Sequence, residues 1–332
     1  MANCIDISNW TVKEWVQTIG SREKFFVENP ADEKLYFFKE SINKFPSEFW
    51  SEIIASKIGA TLGFNILDYN IAIHKDVVGC ICESMIELQS QELEHGINLI
   101  KKAVKDFKVS KRPIILFSDV EKSFASNPSF INEFIEMLVF DSIIGNQDRH
   151  SENWAIIRSL DMENFKSNQS RVLKWIYSKY KESGLNLKNI PFKNFLLSSL
   201  QESALVNLQF SKIYDSGSSL GREISEENIE TYLKNDADLK KYIKNGISGV
   251  RWESSKINHF ELLKLLKPKY GVLLTKTINN VISKYNSTEV QAIINQIDNE
   301  LTQNFEKSKL SLQRKNLIFR FIEFRMAELK LV

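Results

Sequence analysis

The sequence predicts an α+β fold of two lobes, a small β-rich one followed by a larger, mostly helical one. Strand-like patterns crowd the first ninety residues around a single helix, and helical periodicity dominates from about Gln89 onward. With 12 glycines and 6 prolines in 332 residues, the chain is too poor in turn formers for a β-sandwich of many short strands. Its length allows two ordinary cores, and the change of pattern divides it into residues 1–88 and 89–332.

The elements follow in order. "EKFFVENPADEKLYFFKES" has two aromatic-rich runs around Asn29-Pro30-Ala31-Asp32, which predicts a hairpin. "PSEFWSEIIASKIGATLGF" predicts an amphipathic helix with Ser47 as N-cap and Gly63 as stop, because Phe49, Trp50, Ile53, Ile54, Ile58 and Leu62 recur at helical spacing. "ILDYNIAIHKDVVGCICESMIEL" predicts two short strands joined near Lys75-Asp76. "ELEHGINLIKKAVKDF" is expected to be one helix. "SFINEFIEMLVFDSII" is expected to be another, apolar on nearly every face, deeply buried and capped by Gly145. "WAII" and "VNLQFSKIYDSGSSLG" are expected to be extended, with a surface helix near 170–183, stopped by Gly184, in an insertion at about 165–200. "TEVQAIINQIDNELTQNF" and "QRKNLIFRFIEFRMAELKL" complete a helical tail.

Composition excludes several function classes. Net charge is +2, so no overall field favours nucleic acid or a membrane surface. The runs "LIKKAVK" and "LLKLLKPK" are amphipathic faces without interleaved stacking aromatics. His74, His95, His150 and His259 lack metal-ligand spacing, and Cys80 and Cys82 do not complete a zinc site. Few cysteines, no secretory leader and no run of membrane-span length lead us to expect a cytoplasmic protein.

The chemistry concentrates in "FDSIIGNQDRHSENW", residues 140–154, where an apolar helix stops at a glycine and two acids, three amides, an arginine and a histidine follow. Three other features fall in line with it. Lys39 ends the aromatic strand "KLYFFKE", Glu52 lies on the following helix, and Asp215 stands in "IYDSGSSLG". Taken singly, a lysine at a strand end and an Asp-Ser-Gly turn are ordinary. Together they supply what phosphoryl transfer from ATP requires. Lys39 would sit on the phosphates, Glu52 would hold Lys39, Asn153 and Asp215 would be hard oxygen ligands for Mg²⁺, and Asp148 would be the acid beside the acceptor hydroxyl. Glu48 lies one turn before Glu52 on the same polar face, so periodicity alone leaves both open as the lysine's partner.

"GNQDRHSEN", followed by a hydrophobic strand and Asp-x-Gly, resembles the catalytic loop N-x-D-x-H-x-x-N and metal site of the HipA-like serine/threonine kinases, relatives of the protein-kinase fold. "YFFKES" and "EFWSEIIASKIGATLGF" are similar to their lysine strand and Ser-Glu-containing regulatory helix. The resemblance spans about residues 18–225. It implies a bilobal protein-kinase-like fold with Asp148 as catalytic aspartate, Asn153 and Asp215 as metal ligands, Lys39 as phosphate lysine and Glu52 as its partner. It also implies that His150 and Asn146 brace the loop, and that backbone from Glu83 to Met85 faces adenine. The phosphate-covering loop falls in "IGSREKFF", with Gly20, Ser21 and Arg22 or Lys24 as candidates and Ser21 as a possible self-phosphorylation site. The chain resembles the shorter members, without the additional N-terminal subdomain of the full-length toxin kinases. ATP and Mg²⁺ are then the implied cofactors. A protein serine or threonine is the implied acceptor, on a translation factor or tRNA synthetase, and a separately encoded antitoxin is the implied partner. A lipid or small-molecule kinase, which can share the loop, and an inactive kinase-fold binding protein remain the alternatives.

Overall fold

The computed structural model describes residues 2–13, 24–41, 44–88, 90–105, 107, 115–160 and 206–332. The first part is one six-stranded sheet in the order β1-β5-β6-β4-β3-β2. Its strands are β1 (Cys4–Asp6), β2 (Thr11–Val12), β3 (Lys24–Glu28), β4 (Leu35–Lys39), β5 (Asn70–His74) and β6 (Val77–Glu83). β1 and β5 run parallel, and every other pair is antiparallel. The β3–β4 hairpin turns where Asn29 and Asp32 were expected to turn it, and their side chains accept the Ala31 and Lys34 amides. Alternation sorts the sheet's two faces. Val27, Phe38, Ala72 and Ile81 pack on one side under Ile7, while Ile71, Ile73, Cys80 and Cys82 join the main core on the other.

Helix α1 (Glu48–Leu62) crosses from β4 to β5 on that second face. It is less amphipathic than its sequence suggests: 12 of its 15 residues are buried, polar Glu48, Ser51, Glu52 and Ser56 among them. The sheet covers one side of it and helices from the far end of the chain cover another. Gly63 ends it in the left-handed conformation, as expected.

The larger part is built on α2 (Gly96–Ala103), α3 (Phe117–Ser123), α4 (Phe130–Ile144), α5 (Ile229–Lys234), α6 (Asp236–Asn245), α7 (His259–Lys284), α8 (Ser287–Gln296) and α9 (Leu312–Leu329). α4 is buried along most of its length and packs on α7 and α9. Two expectations need correcting. Residues 91–95 are a strand, β7 (Gln91–His95), and the helix begins only at Gly96. Pairing with β9 (Ala155–Leu160) overrides the helical pattern there, and Trp154 packs so closely on Gly96 that a Cβ would lie 2.2 Å from its ring. The helix through "TEVQAIINQIDNELTQNF" stops at Gln296. Buried Asp298 accepts the Leu310 amide at 3.0 Å and pairs with Lys315 at 2.6 Å, drawing the chain into a new direction. β9 also pairs with β10 (Val206–Phe210), and β8 (Ile115–Leu116) with β11 (Val250–Arg251). The expected surface helix and the insertion near 165–200 fall almost wholly outside the described residues. The result is a curled β-sheet half joined to a helical half, an α+β kinase-like fold. Among the described residues no helix is long and apolar enough to cross a membrane.

Candidate active site

Lys39 ends β4 with its side chain on the face that meets α1, and only 5% of the residue is exposed. Its ammonium pairs with Glu52 Oε1 and with Asp215 Oδ1, the latter at 2.5 Å. Glu52 is 1% exposed, whereas the Asp215 side chain keeps 37% of its surface in solvent. Burial pushes the Glu52 carboxyl up, Lys39 opposes that shift, and Asp215 adds to it. Glu52 Oε2 also accepts the Ser216 amide at 2.7 Å, which ties α1 to the chain just after Asp215. Asp215 lies at φ 52°, a left-handed conformation that aspartate tolerates better than most residues. Gly217 is required by close approach, since a Cβ there would lie 3.0 Å from Glu48 Cγ and 3.1 Å from Glu52 Oε1.

The 145–154 loop is anchored from below. Gly145 caps α4 at φ 69°, and a Cβ on it would strike the buried Arg325 guanidinium at 2.6 Å. Arg149 is fully buried and grips Asp141 of α4 with two parallel bonds, Nε to Oδ2 at 2.9 Å and Nη2 to Oδ1 at 2.8 Å. Its Nη1 donates to the carbonyls of Asn153 at 2.8 Å and Tyr214 at 2.6 Å. Burial works against the guanidinium charge, but Asp141 outweighs it and the Arg149 pKa is raised. One side chain therefore binds the loop's far end to the residue before Asp215. β9 and β10 bring the same two positions together, because Asn153 precedes β9 and Asp215 follows its antiparallel partner.

Within the loop, Asn146 Oδ1 accepts the Asp148 amide at 3.1 Å and its Nδ2 donates to Asp141 at 3.1 Å. Asn153 Nδ2 donates to the Asp148 carbonyl at 2.8 Å, so Oδ1 is the amide atom left for a ligand. His150 Nδ1 accepts the Glu152 amide at 3.2 Å and acts inside its own turn. The Gln147 amide reaches the Ser218 carbonyl at 3.3 Å, and the Leu220 amide reaches Ile144 at 2.9 Å, docking the segment after Asp215 on the loop.

A buried histidine supports the loop from the opposite side. His259 Nε2 bonds the Asn146 carbonyl at 2.7 Å, and burial, reinforced by Arg325, pushes its pKa down to about 3. It is a neutral donor, since the carbonyl can only accept. His95 Nδ1 lies 2.9 Å from the Glu152 carbonyl and 3.1 Å from the Tyr214 hydroxyl, and burial lowers its pKa.

Of the residues expected from the sequence, Lys39, Glu52 and Asp215 are in direct contact, and Asn146, Asp148, His150 and Asn153 share one hydrogen-bonded loop joined to them through Arg149 and Ser216. Lys24 stands directly opposite Lys39 in the β3–β4 ladder, on the same face. Glu83 ends β6 and pairs with Lys34 at 2.7 Å, while half-buried Met85 packs against the core. Gly20, Ser21 and Arg22 lie outside the described residues. Glu48 does not hold the lysine and pairs with Arg222 instead.

Sequence reasoning missed Asp141, His259 and Arg222, and it gave Arg149 no role. A lone acid inside "LVFDSII" signals Asp141; nothing local signals His259 or Arg222. The donor set fits Mg²⁺. Asp215 offers a partly exposed carboxylate and Asn153 an amide oxygen, and Mg²⁺ draws its other ligands from water and phosphate. Among the described residues no cluster of three or more His, Cys, Asp or Glu side chains forms a closed metal cage.

The fold is kinase-like. No family model matches the sequence, and no curated protein matches it. Solved structures do. The Helicobacter pylori proinflammatory kinase CtkA superposes with a TM-score of 0.70 at 17% identity, over 98% of this chain and 95% of that one. HipA of Shewanella oneidensis MR-1, from a toxin–antitoxin complex with HipB and operator DNA, superposes with a TM-score of 0.50 at 10% identity, over 95% of this chain and 65% of that one. The fold is the one these two proteins share, as the resemblance to HipA-like kinases implied.

Proposed function

We propose that this chain is an ATP- and Mg²⁺-dependent phosphotransferase, a HipA-like serine/threonine protein kinase acting in the cytoplasm. The observation that carries the reading is the buried lysine at the junction of the two halves, bound at once by Glu52 and Asp215. A structural lysine has little reason to sit between two carboxylates, one of them open to solvent. A lysine awaiting phosphates does.

The nucleotide lies between the sheet of residues 1–88 and the helical residues 89–332. Lys39, fixed by Glu52, holds the phosphates in line, with Lys24 beside it, and Gly20 and Ser21 are the candidates for covering them. Backbone from Glu83 to Met85 meets adenine. Asn153 and Asp215 would hold Mg²⁺, which would neutralise charge on the phosphate oxygens. Asp148, half-buried and set by Asn146 and Asn153, orients the acceptor hydroxyl and takes its proton as the hydroxyl oxygen bonds the γ-phosphorus, while the bond from that phosphorus to the β,γ-bridging oxygen breaks and ADP leaves. His150 steadies the turn carrying it.

The acceptor is a protein serine or threonine, with a translation factor or tRNA synthetase as the first to try. The HipA structure was solved with HipB, which makes a separately encoded antitoxin the partner to look for. The test is transfer of labelled phosphate from Mg²⁺–ATP to protein by the parent, Asp148→Asn and Asp215→Asn. The parent should transfer label to serine or threonine, and each variant should be slower by at least ~100-fold. A folded parent that binds no nucleotide would overturn the reading.

A further inference from the structure

The two acids that periodicity could not separate turn out to have different partners. Glu52 takes Lys39, and Glu48, one turn earlier and equally buried at 1% exposure, takes Arg222 from the segment after Asp215. A carboxylate that deep in the protein is tolerable only when paired. Arg222 also lies with its guanidinium 4.4 Å over the Phe45 ring, and the Phe45 carbonyl accepts the Glu48 amide at 3.1 Å. One arginine thus grips both the loop entering α1 and the helix's first turn.

Further contacts repeat this pattern along the same face of α1. Ser51 Oγ donates to the Ser219 carbonyl at 3.2 Å, and Glu52 Oε2 accepts the Ser216 amide at 2.7 Å. Gly217 lies between Glu48 and Glu52 with no room for a side chain. Residues 216–222 therefore run up α1, and the segment begins beside Asp215, which itself touches Lys39.

We infer that Arg222 is a positioning residue. Through Glu48 it sets the place of α1, so residues 216–222 decide whether Glu52 holds the phosphate lysine. This inference rests on the kinase reading for its catalytic meaning, but its geometry stands apart from it. Lysine is a poor substitute for Arg222, because a point charge on a flexible stem cannot cover the ring and meet the carboxylate with one rigid plane.

The experiment uses the full chain and Arg222→Met, Arg222→Lys, Glu48→Gln and the Glu48→Gln/Arg222→Met double variant. Lys39 is followed by mass spectrometry after brief treatment with limiting acetic anhydride, alongside thermal melting and Mg²⁺–ATP kinetics. In the parent Lys39 should be protected, and in Arg222→Met it should acylate roughly 10-fold faster or more. kcat should fall roughly 10- to 100-fold, the scale of a small misplacement of a catalytic group, with KM for ATP changing far less. The double variant should be no worse than Arg222→Met, since both changes remove one interaction. Arg222→Lys should fall between parent and Arg222→Met, and it decides the matter if Arg222→Met does not fold. A folded Arg222→Met with parent-like Lys39 protection and kcat overturns the inference, as does a parent-like Arg222→Lys. If the parent transfers no phosphate yet Arg222→Met still unmasks Lys39, the positioning role stands and the kinase reading fails.

Discussion

The 145–154 loop and the lysine cluster both depend on buried charge, and they are built differently. Asp141 and Arg149 are eight residues apart, sealed from water, and matched one to one, with the remaining contacts made by carbonyls and amides. Lys39 meets partners 13 and 176 residues away, and it faces two carboxylates with a single positive charge. The Asp141–Arg149 pair has no charge in excess, and its donors and acceptors are matched in one arrangement. In the cluster one ammonium is shared between two carboxylates, and that of Asp215 is partly exposed. That contrast separates a fixed element from one poised to rearrange on binding, and targeted substitutions can break it.

The largest effect should come from Arg149→Met. It leaves Asp141 as a buried charge without its counter-ion and strips the Asn153 and Tyr214 carbonyls of a donor, at a cost of about 3–5 kcal/mol. Urea denaturation should register that loss, and Asp141→Leu/Arg149→Met should recover much of it, because an apolar pair of similar size carries no desolvation cost. A single variant as stable as the parent would mean the loop is held by something else.

Lys39→Met should disturb stability less, because burial already pushes the Glu52 carboxyl up and the group can take a proton instead of remaining a bare charge. Activity is where it should show, with kcat lower by about 100-fold or more. The pH dependence has a definite sign. An acid whose pKa is raised on folding contributes its full stability below its unfolded value, here 4.5, and loses it as pH rises through the folded value. Glu52→Gln should flatten that decline, and Lys39→Met should steepen it. Urea titrations from pH 4 to 8 that show parallel profiles for all three proteins would remove the argument for a strained cluster.

His259 tests the fixed element from the other side. Its pKa falls from 6.5 to about 3, so the unfolded chain binds a proton that the folded one refuses between those values. Stability should be complete above about pH 6.5 and decline as pH falls toward 3, by up to about 1.4 kcal/mol per pH unit. His259→Gln should remove the decline while keeping a donor for the Asn146 carbonyl. His259→Ala should also lose about 1–3 kcal/mol at neutral pH, because that carbonyl is left unpaired. Equal stability of the two variants at pH 7 would show that the bond contributes nothing.

What the sequence made legible follows the same division. Strand alternation placed β3 to β6, and the run "NQDRHSEN" after an apolar helix announced the loop with its cap. Local chemistry writes those features within a few residues. The supports were not legible, because they depend on the path of distant chain. His259 lies 113 residues from the carbonyl it holds. β7 became a strand only because β9 lay beside it, and periodicity left Glu48 and Glu52 open, so that the resemblance alone chose Glu52 before Lys39 and Arg222 were in place. Side chains whose partners lie beyond the local pattern look like ordinary solvent-facing residues until the fold closes around them.

The smallest predicted effect tests that lesson at one helix end. Ser47 stands where an N-cap belongs, yet its side chain makes no capping bond. The Phe49 amide in the first turn of α1 is served instead by Ser41 Oγ at 2.9 Å, from eight residues back. A loop that folds over the helix start has displaced the local cap, and the helix so tethered carries both Glu48 and Glu52. Ser41→Ala should therefore cost about 1 kcal/mol, a typical capping loss, while Ser47→Ala should cost no more than a few tenths. Thermal melts of the two variants side by side decide it. A larger loss at Ser47 would return the cap to the position the sequence first suggested and would free Ser41 from any part in holding α1.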